Sequence, residues 1–376
     1  MGKRFLFTCG GTGGHIYPAI AAAQRLQALL PDAEFLFVGA EDNLETELVP
    51  REGFPIETLR VGNLHRSLKP REILHNLRSA AWLASSLGKA GRLLRRFRPD
   101  AVLGTGGYVC YPVLRAASAR GIPTLLHEAN ALPGLTTRML EKYTDAMMVG
   151  FAESAARYAH PQRIHVTGIP VRSGFREADR AAARRSLGIP EGQLLILSFG
   201  GSLGAKRLNA ALAQAAAENE KTGAFRLLHA TGGGEAGLEA MKRELASHGV
   251  TEPRYTELRP YIYDMPQVMA AADLVICRAG ASTLGELAAA GKPAVLIPYP
   301  YATGNHQEIN AQVTVDRGAA VLLRDADCSG ERLSSLLREL CAAPEQLRRM
   351  GDAMKSLDRP DALDAIVQLV LEQAKL

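Results

Sequence analysis

The sequence alternates short, continuously apolar runs with longer amphipathic segments, and the alternation continues through all 376 residues. Each apolar run ends near glycine, proline or aspartate, which is typical of buried strands in a parallel sheet. Strands that alternate with helices predict a doubly wound parallel sheet. Predicted helices include 19–30 and 70–97. The predicted strands are 5–8, 35–38, 56–61, 101–103, 124–127, 146–149, 164–167, 194–199, 226–229, 255–258, 274–277, 294–297 and 320–322.

This pattern starts again in the middle of the chain. A glycine-rich loop follows the first predicted strand at residues 10–14, and a similar loop follows the first strand of the second half at residues 200–204. We therefore predict an α/β fold of two Rossmann-like, doubly wound parallel-sheet domains that face a cleft. Residues 1–167 form the first domain and residues 168–357 the second. The amphipathic C-terminal helix, 358–376, either finishes the second domain or crosses back to the first, and we expect the crossing.

Composition excludes several other classes of protein. Apolar residues make up 47% and charged residues 22% of the chain, which is ordinary globular usage. No run approaches the roughly 18 apolar residues of a membrane-spanning helix. Residues 1–7 have a charged start but a short apolar stretch, so we expect a first strand and not a signal peptide. The five cysteines include no CxxC pair, which argues against a disulfide framework and a zinc site.

Positive charge is concentrated between residues 60 and 99. This stretch has ten Lys or Arg residues and one acidic residue, Glu72, a net charge of +9 in a chain whose total is +5. Such asymmetry indicates an anionic partner, although charged runs are often only a solvated helix face. Nucleic acid is not expected, because Trp82 and Phe97 are nearly the only aromatic residues there that could stack on bases.

Four glycine-rich loops directly follow predicted strands, at residues 10–14, 104–107, 200–204 and 232–234. Such a loop, with a helix N-terminus after it, offers N–H groups and the positive end of the helix dipole to an anion. The loops have neither the Gly-Lys-Ser/Thr ending of a Walker A motif nor the GxGxxG dinucleotide fingerprint. The sequence therefore predicts several phosphate-binding loops and argues against NAD binding.

Polar side chains follow three of the predicted strands. His15 can accept a proton from an attacking hydroxyl, since imidazole titrates near neutral pH. Its alternative role is to donate a hydrogen bond to a phosphate or to cap the helix. Glu128 is a second candidate base, with a helix-start role as the alternative. Glu286 can hold a ribose from the helix after strand 274–277, and residues 304–310 combine amides and an imidazole that suit sugar hydroxyls.

The chain resembles the GT-B glycosyltransferases of family 28 that add N-acetylglucosamine to a lipid-linked muramyl-pentapeptide. The motifs that carry the resemblance occur in family order over nearly the whole chain. They are GGTGGH at 10–15, GTGGYV at 104–109, HExN at 127–130, TGxPVR at 167–172, GGSxGA at 200–205, RxGAxTxxE at 278–286 and HQxxN at 306–310.

The resemblance implies an inverting hexosyltransferase of peptidoglycan synthesis, with roles in cell shape and division, that uses no cofactor or catalytic metal. It moves N-acetylglucosamine (GlcNAc) from UDP-GlcNAc to the 4-hydroxyl of undecaprenyl-diphosphate-MurNAc-pentapeptide, which converts lipid I to lipid II. His15 and Glu128 are the implied catalytic residues. The implied donor-site residues are Thr12, Gly13, Gly14, Asn130, Arg172, Ser202, Tyr261, Ile262, Ala281, Ser282, Thr283, Glu286, His306, Gln307 and Asn310. The implied acceptor-diphosphate residues are Gly13, Gly14, His15, Gly106, Gly107 and Tyr108.

A polyprenyl acceptor implies a peripheral protein at the cytoplasmic face of the cell membrane. On the predicted helix 70–97, cations and the only tryptophan gather on one side, a pattern typical of helices that bind anionic membrane surfaces. The predicted docking residues are Leu64, Leu68, Arg71, His75, Arg78, Trp82 and Lys89. The predicted buried stripe is Ile73, Leu77, Ala80, Ala84, Leu87 and Gly91. The alternative is that Trp82 packs beneath a neighbouring element.

Two other functions stay open at this stage. One is a related glycosyltransferase that acts on diacylglycerol, and the other is a non-catalytic subunit that binds a sugar nucleotide. The resemblance favours the muramyl acceptor, and two complete domains with both sets of loops argue against the non-catalytic subunit. Other cell-wall synthesis or division proteins are further expected partners.

Overall fold

The computed structural model describes residues 2–62 and 70–376, and for residues 70–78 and 80 the backbone alone. The chain divides into two units, Met1–Pro170 with Arg359–Leu376, and Val171–Asp358. The first unit extends beyond the expected end at Thr167 because Gly168 still bonds to its sheet. The Gly168 N–H donates to the Val149 carbonyl at 3.1 Å, and His127 Nε2 donates to the Gly168 carbonyl at 3.0 Å.

The first unit is built on a parallel seven-stranded sheet in the order β3-β2-β1-β4-β5-β6-β7. Its strands are β1 (Arg4–Cys9), β2 (Glu34–Ala40), β3 (Ile56–Leu59), β4 (Ala101–Gly106), β5 (Thr124–Glu128), β6 (Ala146–Val149) and β7 (Ile164–Val166). Its helices are α1 (Gly13–Leu29), α2 (Glu45–Arg51), α3 (Pro70–Phe97), α4 (Cys110–Ser118), α5 (Leu135–Leu140) and the C-terminal helix (Ala362–Gln373). Short 3-10 helices occupy Glu141–Tyr143, Ala152–Arg157 and Pro161–Arg163.

The sheet of the first unit is buried on both faces, as parallel sheets usually are. Phe5 and Phe7 face one hydrophobic cluster, which α1 and the C-terminal helix cover with Ile16, Ile366 and other apolar side chains. Leu6 alternates to the opposite face and joins the cluster under α3 and α4. The C-terminal helix is therefore part of the core of the first unit, although 188 residues of the second unit precede it in the chain.

The second unit contains a parallel six-stranded sheet in the order β10-β9-β8-β11-β12-β13. Its strands are β8 (Leu194–Phe199), β9 (Phe225–Ala230), β10 (Thr256–Arg259), β11 (Leu274–Cys277), β12 (Ala294–Leu296) and β13 (Ala320–Leu322). Its helices are α6 (Gly174–Glu177), α7 (Arg180–Ser186), α8 (Lys206–Asn219), α9 (Gly234–Ser247), α10 (Met265–Ala271), α11 (Ala281–Ala290), α12 (His306–Asp316), α13 (Gly330–Cys341) and α14 (Pro344–Lys355). Two 3-10 helices, Thr303–Asn305 and Asp325–Asp327, complete it.

The predicted class, two doubly wound α/β sheets, is confirmed. Each predicted strand occurs within a few residues of its expected ends. In both sheets the strand order reverses beside the first strand, between β1 and β4 and between β8 and β11. Loops at the carboxyl ends of such strand pairs are where open α/β sheets bind ligands.

The predicted buried stripe of α3 is wrong at Ala84, which is exposed, whereas Gly91 is buried and Leu87 half-buried. The side chains of Ile73, Leu77 and Ala80 lie outside the described residues. The buried side chains of the described part of α3 include Ser79, Ser86, Ala90, Leu93 and Leu94. Ser86 Oγ donates to the Arg60 carbonyl at 2.7 Å, so a polar residue is satisfied on this face. Trp82 lies beside it, half-buried, with the Arg60 guanidinium 4.5 Å from the ring centroid. Trp82 is thus packed on a neighbouring segment, as the alternative interpretation expected.

Within the described ranges 2–62 and 70–376, no helix is both long enough and apolar enough to span a bilayer.

His229 is a fully buried histidine in the sheet of the second unit. It pairs in register with Ser198 of β8, and its Nδ1 donates to the Ser198 carbonyl at 3.2 Å. Its Nε2 is buried without a hydrogen-bond partner. Burial lowers the pKa of His229 from 6.5 to about 4, because a charged ring would lose its hydration there.

We expect the free energy of unfolding of the second unit to fall as the pH decreases from about 6.5 to about 4. In this window the unfolded state binds a proton that the folded state excludes, which costs up to about 3 kcal/mol. His229→Gln should remove this part of the pH dependence, while the contribution of the carboxylates stays the same. Urea unfolding of the wild-type and His229→Gln proteins at about pH 7 and about pH 4.5 measures the free energy of unfolding. An equal pH dependence in the two proteins would show that His229 does not contribute to it.

Candidate functional site

Two predicted glycine-rich loops meet at the carboxyl ends of β1 and β4 in the first unit. The Gly10 N–H donates to the Gly106 carbonyl at 3.1 Å. A Cβ on Gly107 would lie 2.5 Å from the Gly10 carbonyl oxygen, and one on Gly106 would lie 2.4 Å from His15 Cδ2. The φ angle is also positive at both positions, +122° at Gly106 and +95° at Gly107, so no other residue fits there without strain. Tyr108 follows with its side chain 41% exposed.

His15 lies in the first turn of α1, directly beside Gly106. Its Nδ1 is 2.9 Å from the Gly10 carbonyl oxygen. Because a carbonyl can only accept, Nδ1 carries the proton and Nε2 keeps its lone pair. Thr105 Oγ1 donates to the His15 carbonyl at 2.6 Å, which fixes the first turn of α1 to the β4 loop. This arrangement suits a base that acts through Nε2.

Helix α1 begins at Gly13, after Thr12 in an extended conformation. The Thr12 carbonyl accepts the N–H groups of His15 and Ile16 at 3.0 and 3.1 Å. The first N–H groups of a helix have no acceptor within it, and the first turn here contains no acidic residue. Gly13 and Gly14 can therefore offer their N–H groups and the positive end of the helix dipole to an anion.

Glu128 does not have the free carboxylate that a general base needs. It is 6% exposed. Its Oε1 accepts from the backbone and side-chain N–H groups of Asn130 at 3.0 and 2.9 Å. Its Oε2 accepts from the Gly134 N–H at 3.1 Å and from Thr137 Oγ1 at 2.6 Å. Four hydrogen bonds occupy the carboxylate, so we assign Glu128 to ordering residues 128–137, and the Asn130 amide takes part in the same network.

In the second unit, the loops after β8 and β9 pack backbone against backbone. The Gly204 N–H donates to the Gly201 carbonyl and the Gly233 N–H to the Ser202 carbonyl, both at 2.9 Å. A Cβ on Gly232 would lie 2.2 Å from the Gly204 nitrogen. This contact leaves Ser202 exposed at the carboxyl edge of the sheet.

Helix α11 begins at Ala281, with Gly280 as its N-cap, and forms a further helix N-terminus at this edge. Asn310 was expected to contact a sugar, but its side chain is fully buried and its Nδ2 donates to the Ala279 carbonyl at 3.2 Å. Asn310 therefore holds the segment before α11. Ser282 and Thr283 in the first turn of α11 are half-buried and Ala281 is buried.

Glu286 lies in the second turn of α11. Burial raises the pKa of its carboxyl to about 7, and the positive charge of Arg172 acts in the opposite direction. The structure thus brings together two of the predicted donor residues, Arg172 and Glu286. A carboxyl with a pKa near neutral and limited solvent access is typical of functional sites.

Of the other predicted donor residues, Thr12, Gly13 and Gly14 belong to the first unit, at the start of α1. In the second unit, Tyr261 and Ile262 follow β10, and His306 and Gln307 begin α12. Ile262 is 4% exposed, so its backbone, not its side chain, is available to a ligand, and the neighbouring Tyr261 is 49% exposed. Gln307 Oε1 accepts from the Tyr299 N–H at 2.9 Å, which leaves the Gln307 amide nitrogen for a ligand. His306 Nδ1 lies 2.8 Å from the Thr303 carbonyl, so its Nε2 is the free ring nitrogen.

Sequence reasoning missed two side chains that order these loops. Arg278 donates to the carbonyls of Ile297 and Pro298 at 3.0 and 3.1 Å and pairs with Asp325 at 2.6 Å. Glu45 lies fully buried beneath the first glycine loop. Glu45 carries no sequence signal beyond a charged residue near a loop, and Arg278 stands out only as the first residue of the RxGAxTxxE motif, with no role assigned to it. Within the described parts of the chain, no three His, Cys, Asp or Glu side chains cluster as a metal site would require.

Comparisons with known proteins identify similar chains of nearly the same length. Residues 5–149 match the model of the glycosyltransferase family 28 N-terminal domain, and residues 195–366 match that of the C-terminal domain. A relative from Desulforudis audaxviator is 46% identical, covering 98% of this chain and 97% of its own. A relative from Desulforamulus reducens is 40% identical, covering 98% of both. Each is named UDP-N-acetylglucosamine–N-acetylmuramyl-(pentapeptide) pyrophosphoryl-undecaprenol N-acetylglucosamine transferase.

Solved structures also match nearly the whole chain. The crystal structure of MurG from Acinetobacter baumannii is 29% identical, with a TM-score of 0.79 over 98% of this chain and 99% of that chain. A UDP-GlcNAc 2-epimerase from Neisseria meningitidis, 14% identical with a TM-score of 0.66 over 99% and 100% of the two chains, shares the fold alone.

Proposed function

Since the chain belongs to glycosyltransferase family 28, we propose that it transfers GlcNAc from UDP-GlcNAc to a lipid-linked muramyl-pentapeptide in peptidoglycan synthesis. It is a UDP-GlcNAc-dependent hexosyltransferase with the GT-B fold. The observation that carries the proposal is 46% identity over 98% of the chain to a transferase named for this reaction. The arrangement of His15 and the helix N-termini supports the same chemistry.

On the acceptor side, the 4-hydroxyl of the muramyl sugar attacks the anomeric carbon and loses its proton to His15 Nε2. The Nδ1–H bond to the Gly10 carbonyl holds the ring in the tautomer that can accept this proton. The N–H groups of Gly13 and Gly14 at the start of α1 bind the acceptor diphosphate, with Gly106, Gly107 and Tyr108 beside them.

On the donor side, the bond between the anomeric carbon and the diphosphate oxygen breaks, and UDP leaves with inversion at that carbon. The N-terminus of α11 and Arg172 stabilise the charge that develops on the diphosphate, so the proposed reaction uses no catalytic metal or other cofactor. Glu286 accepts hydrogen bonds from the ribose hydroxyls, and the backbone of Ile262 meets the uracil. Ser202, Gln307 and His306 complete the proposed contacts.

The lipid acceptor places the proposed site of action at the cytoplasmic face of the cell membrane, with α3 as the docking element. Leu64 and Leu68 and the side chains of Arg71, His75 and Arg78 lie outside the described residues. Lys89 is already engaged, since its Nζ donates to the Thr58 carbonyl at 2.9 Å, and Trp82 stacks with Arg60. The proposed membrane surface is therefore the first half of α3 together with residues 63–69.

We expect His15→Ala to lower kcat by about 10²–10⁴-fold, because the attacking hydroxyl loses its base. The affinity for UDP-GlcNAc should stay unchanged, since His15 is not one of the proposed donor contacts. Turnover of radiolabelled UDP-GlcNAc with a short-chain lipid-linked muramyl-pentapeptide measures kcat, and calorimetry measures the affinity for UDP-GlcNAc. His165→Ala, an exposed histidine of the same unit, is the control.

If His15→Ala kept most of the activity, His15 would not be the base. A wild-type protein that binds UDP-GlcNAc but transfers nothing to this acceptor would refute the acceptor assignment. Diacylglycerol would then be the next acceptor to assay.

We expect the affinity for UDP-GlcNAc to rise by on the order of tenfold between about pH 6 and pH 8. The carboxyl of Glu286, whose pKa is about 7, must ionise to accept two ribose hydroxyls. Glu286→Gln should bind more weakly at high pH and show a flat profile, whereas the exposed control Glu239→Gln should match wild type. A wild-type profile without pH dependence would contradict the role of Glu286.

We expect Arg71→Glu with Arg78→Glu to weaken binding to vesicles of about 30% anionic lipid by at least about tenfold, since each cation near such a surface contributes about 1 kcal/mol. Turnover of a water-soluble acceptor should stay within about twofold of wild type. Arg92→Glu with Arg95→Glu is the control, because it changes the charge equally on exposed residues of the last turns of α3. Equal loss of vesicle binding in both variants would show that only net charge matters.

A further inference from the structure

Glu45, the first residue of α2, is a fully buried carboxylate that lies beneath the first glycine-rich loop. Its Oε2 accepts the Gly11 N–H at 3.0 Å, and its Oε1 accepts the Ala40 N–H at the end of β2 at 2.8 Å. No cation among the described residues pairs with it. A buried carboxylate without a counterion is costly unless backbone donors compensate it, so its position is closely determined.

A glycine directly after β1 and a glycine of β2 make room for this carboxylate. A Cβ on Gly10 would lie 2.6 Å from Glu45 Oε1, and a Cβ on Gly39 would lie 2.5 Å from Glu45 Cγ. Any larger residue at either position would displace the carboxylate from the loop. The sequence therefore provides space for Glu45 beneath the peptide that joins Gly10 to Gly11.

That peptide connects Glu45 to His15. Its N–H, on Gly11, donates to Glu45 Oε2 at 3.0 Å, and its carbonyl, on Gly10, accepts from His15 Nδ1 at 2.9 Å. A negative charge at the N–H end of an amide polarises the group and makes its carbonyl oxygen a stronger acceptor, since hydrogen bonds in a chain reinforce each other. The carboxylate, peptide and imidazole thus form one chain of hydrogen bonds.

We propose that Glu45 is a positioning residue for His15, acting through the Gly10–Gly11 peptide. The polarised carbonyl holds the neutral ring with Nδ1 protonated and Nε2 free. It also stabilises the imidazolium that forms when Nε2 takes the proton of the acceptor hydroxyl, as a carboxylate bonded directly to histidine does in hydrolytic triads. This inference rests on the proposed function, in which His15 is the base.

The other titratable groups around this loop do not supply the same charge. Burial raises the pKa of the Cys9 thiol, and raises that of Cys110 to about 12, so both are neutral at pH 7. Burial lowers the pKa of His127, which is neutral as well. The Glu128 oxygens accept hydrogen bonds from residues 130–137 and not from the Gly10–Gly11 peptide.

The first test is Glu45→Gln, which keeps the size of the side chain and removes its charge. We expect kcat to fall at least about tenfold with UDP-GlcNAc affinity unchanged. In a His15→Ala background the same substitution should cost less than about threefold, because the residue through which it acts is gone. Glu141→Gln is the matched control, since Glu141 is also a buried glutamate of the first unit that accepts a backbone N–H, from His160 at 2.8 Å.

An equal loss of kcat in the wild-type and His15→Ala backgrounds would overturn the proposal, because Glu45 would then act only on the shape of the loop. Full activity of Glu45→Gln would overturn it too. If the wild-type protein transfers no GlcNAc, the proposed function fails, and the link between Glu45 and His15 is decided by a measurement that needs no turnover.

That second measurement is NMR of the wild-type protein with labelled histidine and glycine. The Gly11 N–H resonance should shift with pH at the same midpoint as the His15 ring resonances. The reason is that the Gly11 N–H and the Gly10 carbonyl, to which His15 bonds, belong to one peptide. In Glu45→Gln the His15 midpoint should fall by at least about half a pH unit, because the imidazolium loses a stabilising charge. A Gly11 N–H that does not respond to His15 would overturn the proposal even if the variant failed to fold.

Discussion

The close contact between the loops that follow β1 and β4 determines the architecture of the first unit's site. The two strands are neighbours in a parallel sheet, so both chains leave it at the same edge. They remain in contact there, with the Gly10 N–H bonded to the Gly106 carbonyl and no room for a Cβ on Gly107. Because the backbones are this close, their amide groups, and not side chains, form the floor of the site. The side chain that stands above it, His15, is held by that same backbone.

The second unit uses the same construction with different loops. Gly204 and Gly232 meet as closely as Gly10 and Gly107 do, and α11 supplies a helix N-terminus. Each sheet therefore presents amide donors at its carboxyl edge, which suits phosphates, while the side chains that differ between the units set the chemistry. In the first unit this side chain is an imidazole with a free nitrogen, and in the second it is a carboxyl whose burial keeps its pKa near neutrality. The proposed base and the proposed sugar-nucleotide site thus share one arrangement of the backbone.

The sequence predicted the strands well because a strand buried on both faces is apolar at every position, as Phe5, Leu6 and Phe7 are. It predicted less about polar residues near the loops, since residue type does not show which hydrogen-bond partners the folded loop supplies, whether nearby, as for Glu128, or 31 residues away, as for Asn310. Glu128 and Asn310 carried the expected residue types, but backbone and neighbouring side chains already use their polar atoms. Glu45 was missed because its partner, Gly11, is 34 residues away and is brought close only by the pairing of β1 with β2.

Because the C-terminal helix belongs to the first unit, the second unit is an insertion in the sequence of the first. The chain leaves the first unit after Pro170 and returns at Arg359, and Arg176 pairs with Asp358 at 2.7 Å, so the two ends of the inserted unit are joined. During synthesis on the ribosome, the inserted unit emerges in full while the first unit still lacks the helix that covers Phe5 and Phe7. The first unit therefore keeps part of its core uncovered until residues 362–373 have been translated. A chain cut short before these residues would contain a finished second unit beside an unfinished first unit.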